Sequence, residues 1–182
     1  MSAFELSLIT LLLLIGISIL WSTLVVGISP MPSSKKARRA MLQLVESAGD
    51  GPIVDLGSGW GSLVVRLALQ YPNRQVVGYE LSLLPWLVTV LISKCMRLKN
   101  VTVYREDFLK ADLSSASVIV CYLFPAGMAA LATKLAEQKI APRYLISNTF
   151  ALPSYQPETT LRLDDLYRSP IYCYRISPAD GQ

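Results

Sequence analysis

The sequence predicts an α/β protein whose mainly parallel sheet is closed by a C-terminal antiparallel hairpin and preceded by one N-terminal transmembrane helix. Three observations carry that expectation. A short apolar run, Ile53-Val54-Asp55-Leu56, opens into Gly57-Ser58-Gly59-Trp60-Gly61, the composition of a buried strand that turns sharply into a helix. Behind it, strand-like and helix-like patterns alternate, as they do in parallel sheets covered by helices. Ahead of it, Leu6 to Ile28 contains no charged residue.

The N-terminal run is long enough, at ~1.5 Å per helical residue, to cross the hydrocarbon core with some tilt. No Lys or Arg precedes it, Glu5 does, and no A-x-A cleavage site follows, so a retained anchor is favoured over a cleaved signal peptide. Lys35, Lys36, Arg38 and Arg39 crowd its C-terminal flank. Positive charge stays inside, which places the N-terminus outside and the remainder on the cytoplasmic face, or the matrix face in an organelle. The same cluster is suited to anionic lipid headgroups. It accounts for the whole formal charge of +4, and the near-neutral remainder argues against a general nucleic-acid binder.

Pro30-Met31-Pro32-Ser33 breaks the helix at the membrane surface. Ser33 or Ser34 can cap a second helix with Ala37, Ala40, Met41, Leu44 and Val45 on one face. Gly49 and Gly51 end that segment before Pro52. The chain thus divides into an anchor (1–29), a linker with a helix (30–51) and a globular domain (52–182). Within the domain the expected order is strand 53–56, helix 63–69, strand 75–79, helix 83–98 beginning near Pro85, and strand 101–104. There follow strand 117–123, apolar throughout its middle and hence central, helix 126–138 and strand 143–147. Thr159 to Leu163 and Ile171 to Ile176 alternate in period two and form the closing hairpin.

Cys95, Cys121 and Cys173 lie in apolar patterns without C-x-x-C spacing and are expected to be reduced core residues. Histidine is absent from the sequence, which excludes His-dependent triads and His-ligated zinc. No metal is expected.

The loop spacing fails the dinucleotide pattern G-x-G-x-x-G, because Ser62 follows Gly61, and it lacks the Gly-Lys-Ser/Thr of a phosphate-cradling loop. An acid followed by G-x-G-x-G resembles instead the cofactor loop of class I S-adenosylmethionine-dependent methyltransferases, with their Rossmann-like seven-stranded sheet. That resemblance implies roles for several residues. Asp55, Gly57, Ser58, Gly59 and Gly61 would hold the methionine part, Glu80 with Leu81 the ribose, and Asp107 at the end of the third strand the adenine amino group, with Phe108 on the ring. The motifs Val54-Asp-Leu-Gly-Ser-Gly59, Gly78-Tyr-Glu-Leu81, Pro85-Trp-Leu-Val88, Tyr122-Leu-Phe-Pro125 and Lys134-Leu135 are similar to those of a narrower family. These are the small archaeal and membrane-anchored mitochondrial protein-lysine methyltransferases, whose mitochondrial members act on the rotor-ring protein of the ATP synthase and on the adenine nucleotide translocase. The chain departs from the mitochondrial pattern at Trp60, where those relatives carry Asp, and at Leu83-Leu84, which looks like a small insertion.

The implied chemistry is methyl transfer to a neutral amine, in which catalysis is mostly positioning and desolvation. Tyr122, at the end of the fourth strand, is expected to orient the amine, and Phe124, Phe150 and Tyr155 to line its channel. The expected acceptor is a lysine of a small integral membrane protein. A lipid or quinone-like acceptor would need the same greasy channel, and a non-catalytic adenosyl-ligand-binding scaffold would keep the same fold.

Overall fold

The computed structural model describes residues 2, 4–10, 12–13, 16, 33–138, 140 and 142–176. Most of the expected anchor lies outside the described residues. Among those described, no helix is long and apolar enough to cross a membrane. Residues 4–10 are helical, and Phe4, Leu6, Leu12 and Leu13 on this stretch are exposed.

Helix α1 (Lys35–Glu46) starts where the sequence demands it, with the Ser34 side chain accepting a hydrogen bond from the Ala37 N–H. Its buried face is Ala37, Ala40, Met41, Leu42 and Val45. Leu42 takes the inward place expected of Leu44, which is only half-buried. There follow β1 (Ile53–Leu56), α2 (Val64–Gln70), β2 (Val76–Tyr79), α3 (Leu83–Cys95) and β3 (Val101–Tyr104). The chain continues through β4 (Val118–Cys121), α4 (Pro125–Glu137), β5 (Tyr144–Asn148), β6 (Thr159–Arg162) and β7 (Pro170–Arg175).

All seven strands join one sheet in the order β3-β2-β1-β4-β5-β7-β6. The first five are parallel, while β7 runs antiparallel to β5 and β6 antiparallel to β7. Strands β1 and β4 are buried at every position, because parallel strands are covered on both faces. Their side chains alternate between two cores. Ile53, Val118 and Val120 pack with α1 and α2, whereas Val54, Leu56, Ile119 and Cys121 pack with Met128, Leu131 and Leu135 of α4. At the far edge, β6 is exposed at all four positions and carries Thr, Thr and Arg, a polar rim that discourages further strand pairing.

Sheet order reverses between β1 and β4, and a ligand crevice forms outside the carboxyl ends of strands at such a switch point. Register brings those ends level: Leu56 pairs with Tyr79 and Cys121, and Cys121 with Ser147. The glycine loop, Glu80, Tyr122 and Asn148 therefore emerge along one edge.

Helix α3 inverts the usual pattern. Its buried residues are Pro85, Thr89 and Ser93, while Leu83, Leu87 and Leu91 are exposed. Both sets repeat every four residues, which places each on one face of a helix. Cys95 falls on the outer set and is exposed; this corrects the expectation of a core cysteine. Cys121 and Cys173 are buried.

Candidate functional site

Gly57, Gly59 and Gly61 all adopt positive φ, at 74°, 53° and 78°. At Gly61 the demand is also one of space, since a Cβ would lie 2.8 Å from Thr89 Cγ2 and Oγ1. The N–H groups of Gly57 and Ser58 both donate to the Tyr79 carbonyl at 2.9 Å, so the loop folds over the end of β2. Glu80 completes that link. Its Oε2 accepts from the Gly59 N–H at 2.8 Å and its Oε1 from the Ser82 N–H at 2.7 Å. The carboxylate is buried, and each oxygen keeps a second lone pair for a ligand hydroxyl. Leu81 beside it is exposed, an apolar surface at the mouth of the crevice.

Asp55 is 3% exposed and accepts a hydrogen bond from the Val64 N–H at the start of α2. That donor favours the charged form, but burial and then the nearby Glu80 charge outweigh it and raise the carboxyl to about 7. Its Oδ2 and the Ser58 Oγ are buried without a hydrogen-bond partner. Buried polar atoms left unsatisfied cost on the order of 1–3 kcal/mol each. Two of them at one glycine loop mark a place prepared for a polar ligand, and the donor set fits the ammonium and hydroxyl groups of an adenosyl amino-acid cofactor.

Thr89 was not legible as part of this site. Fully buried on α3, its Oγ1 donates to the Gly59 carbonyl at 3.0 Å and is equally placed for the Pro85 carbonyl at 2.9 Å. It pins the middle of the loop from outside the motif, and an apolar helix gave no sign which polar residue would turn inward.

Asp107 does not end the third strand. It sits three residues beyond Tyr104, half-buried, and its Oδ1 accepts from the Leu109 N–H at 2.9 Å to form a side-chain-closed turn. Phe108 packs on the second core. The turn is held from below by Lys134, buried on α4, whose Nζ donates to the Leu109 carbonyl and to Gln138 Oε1, both at 2.9 Å.

On the other side of the crevice, Tyr122 and Phe150 stack, with ring centroids 6.3 Å apart and planes 17° apart. Phe150 reaches that position through a tight turn. Thr149 has φ +68° and the Phe150 N–H donates to the Asn148 carbonyl at 2.8 Å, the rare and strained γ-turn with positive φ. Its neighbours hold it: Thr149 N–H donates to the Pro170 carbonyl at 2.8 Å and Ser147 Oγ to the Phe150 carbonyl at 2.6 Å. Phe124 is instead the N-cap residue of α4, its ring lying where a Cβ at Gly127 would be 3.5 Å away. Tyr155 packs on the second core. The expected channel thus gathers Tyr122 with Phe150, and leaves Phe124 and Tyr155 at its margins.

Comparison with known proteins adds three findings. Residues 55–159 match the model of the ANTKMT methyltransferase domain. The mouse adenine nucleotide translocase lysine N-methyltransferase is 34% identical over 110 residues, covering 59% of this chain and 47% of that protein. A second mouse enzyme, the lysine N-methyltransferase named for the rotor-ring protein of the ATP synthase, is 32% identical over 113 residues, covering 60% and 44%. The chain therefore spans a little under half the length of these two mouse relatives. Among solved structures, an RNA methyltransferase from Salinibacter ruber in complex with S-adenosyl-L-homocysteine superposes with a TM-score of 0.70 at 28% identity, covering 80% of this chain and 94% of that one.

Proposed function

The chain belongs to the ANTKMT methyltransferase domain family, whose cofactor is S-adenosylmethionine, and from that premise we propose that it is a membrane-anchored protein-lysine N-methyltransferase. The observation that carries the transfer chemistry is the pair of unpartnered buried atoms, Asp55 Oδ2 and Ser58 Oγ, under a glycine loop clamped to Glu80. Asp55, Ser58 and Glu80 would hold the cofactor's polar groups, and Leu81 and Phe108 would flank its base. Bound there, S-adenosylmethionine supplies an electrophilic methyl group for a neutral amine.

The chain's own residues must deliver that amine. A free lysine has a pKa of about 10.4, so the site has to favour the neutral form. The stacked Tyr122 and Phe150 rings form an apolar wall against which an ammonium is poorly solvated, and desolvation lowers an amine's pKa. The Tyr122 hydroxyl is the group assigned to orient the amine by hydrogen bonding. Lysine as acceptor is supported by the names of both mouse relatives. A membrane protein as acceptor is supported by the uncharged stretch Leu6 to Ile28 followed at once by Lys35, Lys36, Arg38 and Arg39.

The test is to incubate the full chain with isotope-labelled S-adenosylmethionine and membranes from cells lacking its gene. Proteins, lipids and RNA are then analysed separately by mass spectrometry. Label on a lysine of a membrane protein supports the reading. Label confined to lipid or RNA overturns the acceptor, and no label in any fraction overturns the enzyme. Tyr122→Phe should lower turnover severalfold with cofactor affinity unchanged, and wild-type turnover would remove Tyr122 from the site.

A further inference from the structure

Away from the crevice, the first two helices enclose a second feature. Lys35, Lys36, Arg38 and Arg39 of α1 and Arg66 of α2 line a cavity of about 330 Å³ with Leu42 and with no acidic residue. One ion pair occurs among the described residues, Lys36 with Asp164 at 3.6 Å, which leaves the other four cations of the cavity uncompensated. Arg38 Nε is buried without a hydrogen-bond partner. Burial and then the neighbouring Arg66 charge hold the Arg38 guanidinium below its ordinary value. Like charges gathered around one space with an unsatisfied donor are the arrangement of an anion site lacking its anion.

The surroundings indicate where the anion comes from. Helices α1 and α2 share one core on one face of the sheet, and α3 packs beside α2. On the outside of this layer, Leu69 of α2 and Leu83, Leu87 and Leu91 of α3 are exposed. From Leu81 to Arg105 the sequence holds no acid but has Lys94, Arg97, Lys99 and Arg105. A helix with an apolar ridge and a wholly basic flank is suited to the boundary between headgroups and acyl chains.

We propose that the cavity binds the phosphate group of an anionic phospholipid and that the apolar ridge of α3 rests in the same lipid surface. The uncharged stretch ends only a few residues before Lys35, so the site stands beside the point where the chain would enter the bilayer. Reading the face in this way does not depend on which acceptor is methylated.

Cys95 is a native reporter, four residues after Leu91 on the same ridge and exposed. The other two thiols are buried and pushed up, Cys121 to about 12 and Cys173 to about 11, so they stay silent toward a maleimide at neutral pH. The full chain is reconstituted in phosphatidylcholine vesicles with and without phosphatidylglycerol, and the rate of Cys95 labelling by a water-soluble maleimide is measured. Labelling should be severalfold slower with phosphatidylglycerol. High salt should abolish the protection, and Arg66→Gln, an exposed position that spares the fold, should weaken it roughly fivefold; Arg38→Gln should do the same. Equal rates in the two lipids, or full protection in both Gln variants, overturn the proposal. Protection in detergent by inorganic phosphate alone assigns the cavity to a free anion and overturns the lipid. Protection in detergent that grows with protein concentration assigns the ridge to a second copy of the chain and also overturns it.

Discussion

Asp55 is the residue with the most consequence per atom. Holding a charge at a site that raises its carboxyl from 3.8 to about 7 costs on the order of 4 kcal/mol. Because the folded value lies above the unfolded one, the ligand-free chain is favoured at low pH. It loses stability as pH rises from about 3.8 to about 7, with the full penalty present above 7. Asp55→Asn should flatten that slope and leave the ligand-free protein more stable than wild type above pH 7, as urea unfolding on either side of that pH will report. In the wild type, S-adenosylmethionine affinity should rise with pH through about 7, since an ionised Asp55 attracts the cofactor's positive charge, and Asp55→Asn should lose this dependence in titration calorimetry. Glu80→Ala should abolish detectable cofactor binding while the chain stays folded; unchanged affinity would withdraw Glu80 from the site. Both acids could be found in the sequence because each follows an apolar run at a strand end. Thr89 could not. Its role depends on which way α3 faces, and a helix apolar nearly all round leaves that choice to its neighbours.

At the scale of the element, the turn after β5 stores strain. A β-branched residue at positive φ is a true outlier, and such positions cost roughly 1–3 kcal/mol. Thr149→Gly should relieve it, offset in part by ~0.5–1 kcal/mol of glycine entropy, and so raise the melting temperature. It should also free Phe150 from Tyr122 and lower turnover severalfold with cofactor affinity unchanged. A stabilised variant with wild-type turnover would show that the strained turn has no part in catalysis. The sequence hid this turn, since Asn-Thr-Phe carries neither of the usual punctuators, Gly and Pro. It concealed as well the exchange of order at the tail, where β7 inserts between β5 and β6. Period-two alternation marks two strands but not which is the rim. The parallel strands were legible throughout, because Ile-Val-Asp-Leu and Val-Ile-Val-Cys are buried on both sides and must be apolar.

For the whole molecule, the sheet divides the labour. One edge gathers the glycine loop, Glu80, Tyr122 and Phe150, while Arg74 closes the opposite end by donating to the Gly51 carbonyl at 2.7 Å and the Val45 carbonyl at 3.3 Å. Removal of residues 1–28 touches neither end, so S-adenosylmethionine affinity should be retained. Methylation of a membrane-resident acceptor should fall at least tenfold through lost effective concentration, whereas a soluble peptide acceptor should be modified at the full-length rate. Equal activity of the shortened and full chains on membranes would separate the apolar stretch from targeting.

The Asn148 Nδ2 donates to Ser33 Oγ at 3.2 Å, which fastens the start of α1 to the end of β5, two residues from Phe150. The exit of the apolar stretch and the aromatic wall are thereby fixed to one another. For an anchored enzyme built this way, search for the acceptor is a problem in two dimensions. Turnover should follow the number of acceptors per unit area of bilayer and not their number per unit volume, so diluting the vesicles at constant lipid-to-protein ratio should leave the rate per enzyme unchanged.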